Sequence, residues 1–97
     1  VVEARFDDLI HAPHRLRICA MLSQADAIEF GEIQARTQLS KSALSKHLSQ
    51  LIDAGYVSET QILRQGRSRL LLTLTSAGHT AYAAHRSSLK LLLEEGQ

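Results

Sequence analysis

Apolar residues recur at helical spacing through the first half of the chain. They switch to strict alternation near residue 68 and return to helical spacing toward the end. Phe6, Leu9 and Ile10 predict a short first helix over residues 3–11. Pro13 suits the first turn of a second helix, where its missing N–H is no loss. That helix reaches about Ser23, and Leu16, Ile18, Cys19, Ala20, Met21 and Leu22 leave it almost no polar side. It is expected at the centre of the core. Ala27–Phe30 reads as an extended stub and Gly31–Thr37 as a third helix with Ile33 inward. Ser40 is placed to cap a fourth helix that runs to Ala54, and Gly55 fits the left-handed position after its end. Residues 56–63 and 68–74 predict two strands paired as a hairpin with Gly66 at the tip. In the second strand Leu70, Leu72 and Leu74 share one face and Arg69 and Thr73 the other. Thr75 can cap a last helix over 76–94.

The fourth helix carries two opposed stripes. At 100° per residue, Leu44, Leu48, Leu51 and Ile52 fall in one arc of about 100°. Ser42, Ser45, Lys46 and Ser49 fall on the other side, with three hydroxyls, one cation and no acid. A merely solvated face usually mixes Glu with Lys. Small hydroxyls let a helix backbone come close to a duplex and can bond phosphates or base edges. A short helix, a tight turn and this helix form a helix-turn-helix, whose second helix enters the major groove.

Composition changes this picture only when divided along the chain. The 97 residues, 44% hydrophobic, fit one folded domain. The formal charge is only +1. Residues 1–40 carry four Arg against six acids, residues 41–75 carry five Lys and Arg against two, and the remainder balances. The basic middle therefore coincides with the fourth helix and the hairpin, a pattern suited to a polyanion. An ordinary solvated face is the bland alternative. Arg64, Arg67 and Arg69 surround the hairpin tip. They suit phosphate contact or a narrow minor groove, Arg67 above all, although arginines also protect a hairpin from edge pairing.

Leu39-Ser40-Lys41-Ser42-Ala43-Leu44-Ser45-Lys46-His47-Leu48-Ser49-Gln50-Leu51, followed by Ala54-Gly55-Tyr56-Val57, resembles the recognition-helix signature of MarR/ArsR-type winged helix-turn-helix transcriptional regulators. Pro13-His14-Arg15-Leu16-Arg17-Ile18 resembles their second helix, and Leu74-Thr75-Ser76-Ala77-Gly78 the start of their last one. The resemblance spans nearly the whole chain. It implies an α+β, mainly α fold: one winged-helix domain over 1–97, with a helix-turn-helix at about 31–54. A two-stranded wing at about 56–74 and a C-terminal dimerisation helix at about 76–94 complete it. It further implies a homodimer that binds double-stranded DNA at a pseudo-palindromic operator, in the prokaryotic cytoplasm, as a repressor. The expected DNA contacts are Ser40, Lys41, Ser42, Ser45, Lys46, His47 and Ser49 on the helix, with Arg64, Arg67 and Arg69 on the wing. A protein-interaction module built on the same fold without DNA is the alternative.

Along the last helix Ala81, Ala84, His85, Ser88, Leu91 and Leu92 recur at steps of three and four, with Leu89 and Leu93 widening the apolar surface. So small a domain buries such a stripe with difficulty. These six residues, with Val2, Phe6, Leu9 and Ile10, are the expected dimer surface. The alternative is that the helix folds back on its own core.

Little else points to chemistry. The one Cys cannot form an internal disulfide, and Cys19 reads as a core thiol before a redox sensor. His11 and His14 flank Pro13, and His79 and His85 are six apart, so no rigid metal pair forms and no metal or other cofactor is expected. His47, between the two stripes, could donate to a phosphate or pack at the turn. The serines lack a glycine elbow and no phosphate loop is present, so no enzyme is expected. No apolar run approaches the ~20 residues of a membrane span, and no secretory leader is read. A small-molecule effector is left open, with the dimer interface or the cleft beside the last helix as its place.

Overall fold

The computed structural model describes residues 3–96. Its elements are α1 (Asp8–His11), α2 (Pro13–Ser23), β1 (Ile28–Glu29), α3 (Phe30–Thr37), α4 (Lys41–Asp53), β2 (Val57–Arg64), β3 (Arg67–Leu74) and α5 (Ser76–Glu95). The three strands form an antiparallel sheet in the order β1-β3-β2. The expected stub is thus a third strand: Ile28 and Glu29 pair with Leu72 and Leu71, which fastens the base of the hairpin to the helical half.

The core follows the two periodicities. Ile18, Cys19, Met21 and Leu22 of α2 are buried, as are Ile33 of α3 and Leu44, Leu48 and Leu51 of α4. They meet Ile28, Val57, Leu72 and Leu74 from one face of the sheet. Central burial suits α2 because its polar side is narrow, with only His14 and Arg17 turned outward from its first two turns.

The first helix is shorter than its apolar spacing predicts. Asp7 caps it, with Oδ1 accepting the N–H groups of Leu9 at 2.9 Å and Ile10 at 3.1 Å. Residues 3–7 are not helical. Their backbone turns instead to the last helix: Arg5 N–H donates to the Ala84 carbonyl at 3.0 Å, and Asp7 N–H to His85 Nδ1 at 3.0 Å.

That docking corrects part of the expected dimer surface. Ile10 and His85 expose nothing and Ala84 only 8%. They pack inside their own protomer, so they have no surface to give a partner. The alternative of folding back therefore holds for the first half of α5. Val2 lies outside the described residues.

The ends of α4 are closed by local bonds. Ser40 Oγ accepts Ala43 N–H at 3.1 Å. At the other end Tyr56 N–H reaches the Leu51 carbonyl and Gly55 N–H the Ile52 carbonyl, with Gly55 at φ 81°. This left-handed turn suits a residue without Cβ. Thr75 then ties α4 to α5: its hydroxyl donates to the Gly55 carbonyl at 2.6 Å and accepts Gly78 N–H at 3.0 Å.

Candidate nucleic-acid interface

The site is built from the exposed face of α4 and the tip of the hairpin. The leucine row of α4 is buried, so the opposite stripe must face outward. Lys41, Ser42, Ser45, Lys46 and Ser49 are all exposed. The turn before α4 is compact because Gln38 adopts φ 59° and Gln34 Nε2 donates to the Leu39 carbonyl. Thr37, buried, donates its hydroxyl to the Ile33 carbonyl at 2.8 Å. Ser40 is exposed at the start of α4, and its Oγ lies 3.4 Å from that of Ser42.

In the hairpin, Gln65 (φ 54°) and Gly66 (φ 76°) form the two-residue turn, both left-handed as a type I′ turn requires. Arg64 pairs directly with Arg67, and Ile62 with Arg69. Cross-strand partners share a face, so all three arginines lie on one side of the hairpin, away from Leu72 and Leu74. They are not equivalent. Arg64 Nη1 lies 2.6 Å from Glu29 Oε1, an oxygen with no hydrogen-bond partner, so the ion pair offsets its burial. It also relieves the repulsion of two arginines set opposite each other. Arg67 and Arg69 are exposed, and neither has an ion-pair partner among the described residues.

Two acids bound the site. Asp53 and Glu59 line a groove of about 280 Å³ between α4 and the hairpin, with Ser45, Ser49 and Leu70. Between the face of α4 and the wing tip, these two carboxylates interrupt the positive charge.

His47 is half-buried and turned toward α2. Its Nδ1 lies 3.1 Å from Arg15 Nη1, and its ring 5.5 Å from that of His14. Arginine can only donate, so Nδ1 accepts and the imidazole is neutral. Burial first, then Arg15, His14 and Lys46, hold its pKa below the ordinary 6.5. Of its two sequence readings, packing is the one this contact describes.

Sequence reasoning missed Arg15. Its Nε donates to the Leu9 carbonyl at 2.6 Å and its Nη1 to Gln50 Oε1 at 2.7 Å. The sequence held little to single it out, because Arg17 and His14 lie on the same helix. It also missed the pair of Tyr56 and Asp7, whose hydroxyl and Oδ2 meet at 2.6 Å.

Of the remaining dimer candidates, Leu9, Ala81 and Ser88 are half-buried. Phe6 is 41% exposed, Leu91 50% and Leu92 53%, with Leu93 further out at 76%. The distal part of α5 is exposed throughout from Lys90 to Gly96. A cleft of about 880 Å³ beside α5 is lined by Arg5, Phe6, Asp7, Tyr56, Thr80 and Ala81, among others. Among the described residues no helix is long and apolar enough to cross a membrane, and no group of three His, Cys, Asp or Glu could hold a metal ion.

Comparison with known proteins agrees with this arrangement. Residues 14–93 match the family model described as a winged helix DNA-binding domain. The chain is 26% identical over 68 residues to an uncharacterised protein of Methanocaldococcus jannaschii, covering 70% of this chain and 74% of that one. Among solved structures it is similar to a transcriptional regulator homologue from Pyrococcus horikoshii OT3, with a TM-score of 0.85 and 25% identity over 90% of this chain and 86% of that one. It also shares its fold with a MarR-family regulator from Porphyromonas gingivalis W83, at a TM-score of 0.70 and 20% identity over 89% and 83% of the two chains.

Proposed function

The chain belongs to the winged helix DNA-binding domain family, and from that premise we propose that it is a sequence-specific double-stranded DNA-binding transcriptional repressor that acts as a homodimer. The observation that carries this reading is the exposed stripe of α4, where Ser42, Ser45, Lys46 and Ser49 stand outward above a buried leucine row and the one acid, Asp53, comes only at the last residue of the helix. Hydroxyls and a single cation can approach base edges without the repulsion that acids would bring. Arg67 and Arg69 supply unpaired charge at the wing tip for phosphates, with Arg64 held back by Glu29. Repression is steric: a dimer seated on its operator blocks access to the promoter.

The exposed Leu91, Leu92 and Leu93 at the end of α5, with Phe6, supply the dimer surface in this reading. Two-fold pairing would set two α4 helices on half-sites about 34–36 Å apart along one face of a duplex. The cleft beside α5 is where a small effector would bind. The cytoplasm is the compartment this function requires.

Fluorescence anisotropy with a mixed pool of duplexes at two salt concentrations tests the reading. Binding that weakens steeply with salt, followed by enrichment of a palindromic sequence from random DNA, is the expected result. Absence of binding would favour a protein-interaction module on the same fold.

A further inference from the structure

We propose that Arg15 is a positioning residue for DNA recognition, holding α4 in its seating by anchoring one flank of that helix to the segment docked on α5. The proposal rests on the DNA-binding reading above and deepens it.

The three bonds of Arg15 join three parts of the fold. Nε is bonded to the Leu9 carbonyl in α1, and Nη1 to Gln50 Oε1 and His47 Nδ1 in α4. Residues 47 and 50 are one turn apart, so both acceptors lie on the same flank of α4. That flank separates the buried Leu44, Leu48 and Leu51 from the outward Ser42, Lys46 and Ser49. The α1 end of the anchor is itself fixed. Asp7 caps α1, and the backbone of Arg5 and Asp7 is bonded to Ala84 and His85 of α5.

The physical need for such an anchor follows from the packing. A leucine row is held by a force without direction, so it leaves small rotations of α4 about its axis cheap. Base-edge contacts do not tolerate such rotation, because each hydroxyl and Lys46 must stay within hydrogen-bond reach. A guanidinium is a rigid planar donor set, and its bonds to side chains on one flank oppose the rotation that the leucines permit. Nε and Nη1 are spent inside the protein, and through them Arg15 acts on α4. The neutral, accepting state of His47, favoured by burial and by the nearby Arg15, His14 and Lys46 charges, is the state this anchor needs.

Arg15→Gln, Arg15→Lys and Gln50→Ala test it, the last removing the shorter of the two α4 contacts while leaving α2 intact. Each is compared with the wild-type chain on a duplex selected from random DNA and on an unrelated duplex, across a salt series and well below each melting temperature. Affinity for the selected duplex is expected to fall about tenfold in all three, the loss of directed bonds to a charged group. Affinity for the unrelated duplex and the slope of log K against log salt should stay at wild-type values, because no phosphate contact is lost. In proton NMR without DNA, His47 should titrate at higher pH in Arg15→Gln than in the wild type. Wild-type affinity in all three variants overturns the proposal. So does a salt slope reduced by about 0.9 in Arg15→Gln and restored in Arg15→Lys, the signature of a phosphate ligand. If the wild-type chain binds no duplex, the DNA-binding reading falls and the His47 titration decides the anchor: a raised value upholds it and an unchanged value overturns it.

Discussion

His85 Nε2 lies 3.2 Å from His11 Nδ1, and the other nitrogen of the buried His85 ring accepts the backbone N–H of Asp7. An accepting Nδ1 makes His85 neutral, so Nε2 carries the proton and donates it to His11. Phe6 closes the cluster, its ring centroid 4.7 Å from both histidines. The His85 ring thus fastens the N-terminal segment to α5 in its uncharged state.

Acid should therefore loosen the fold. Burial, then His11, hold the His85 pKa below its ordinary 6.5, with Asp7 and Asp8 opposing more weakly. His47 is shifted the same way. A folded pKa below the unfolded one means that the unfolded chain binds protons first as pH falls. The contribution is complete above about pH 6.5 and is lost as pH drops through the folded values. Urea unfolding at pH 7.5 and pH 5.5 should show the drop, and His85→Gln should be less stable at pH 7.5 but less sensitive to pH.

Gly78 should not accept a side chain. A Cβ there would meet the Tyr56 carbonyl oxygen inside any tolerable contact distance and Leu74 Cδ1 at 2.8 Å. The first turn of α5 rests directly on the chain leaving α4, so the obstacle is backbone and cannot rotate away. Gly78→Ala is expected to destabilise by about 3 kcal/mol, at the upper end of overpacking costs. Thermal melts would measure it.

The charge contacts should separate by mutation. Lys46→Ala combined with Arg67→Ala is expected to weaken binding to any duplex and to flatten the salt slope, because it removes two cations from the DNA-facing surface. Arg64→Ala should do less, because Glu29 already holds that guanidinium. Glu29→Gln should then strengthen binding and steepen the slope. Unchanged slopes in the Lys46 and Arg67 double variant would remove the docking geometry.

Cys19 should be inert in the native state. It exposes nothing, and burial, with Asp7 adding a smaller push, raises its pKa to about 12. The thiolate is the reactive form, so a thiol reagent at pH 8 should label the protein only as fast as it unfolds. Rapid labelling of folded protein would restore the redox-sensor reading.

The outer leucines of α5 are expected to hold two copies together. Leu91→Glu with Leu92→Glu should shift sedimentation to the monomer while leaving the fold, since both side chains are about half exposed in one protomer. Ala84 or His85 substitutions would instead destabilise the protomer itself. A double variant that sediments as the wild type does would move the interface elsewhere.

The sequence by itself determined the order of the elements and the outward face of α4, though not the length of the first helix. Leucines at steps of four and three must be buried together on a helix, and that alone turns Ser42, Ser45, Lys46 and Ser49 to solvent. Strict alternation likewise set Arg69 opposite Leu70. Local signals of this kind are complete within a few residues, as are the Ser40 cap and the Gly55 turn. Only the tertiary structure decided how the apolar and polar residues at the two chain ends are used. Ala84 and His85 share their spacing with Leu91 and Leu92, yet the first two are buried in the protomer and the last two are not. Periodicity tells which face is apolar, not what covers it. The Arg64–Glu29 pair and the bonds of Arg15 to Leu9, His47 and Gln50 were invisible for the same reason. They join residues up to 35 positions apart, and only the packed fold brings such partners within hydrogen-bond or ion-pair distance.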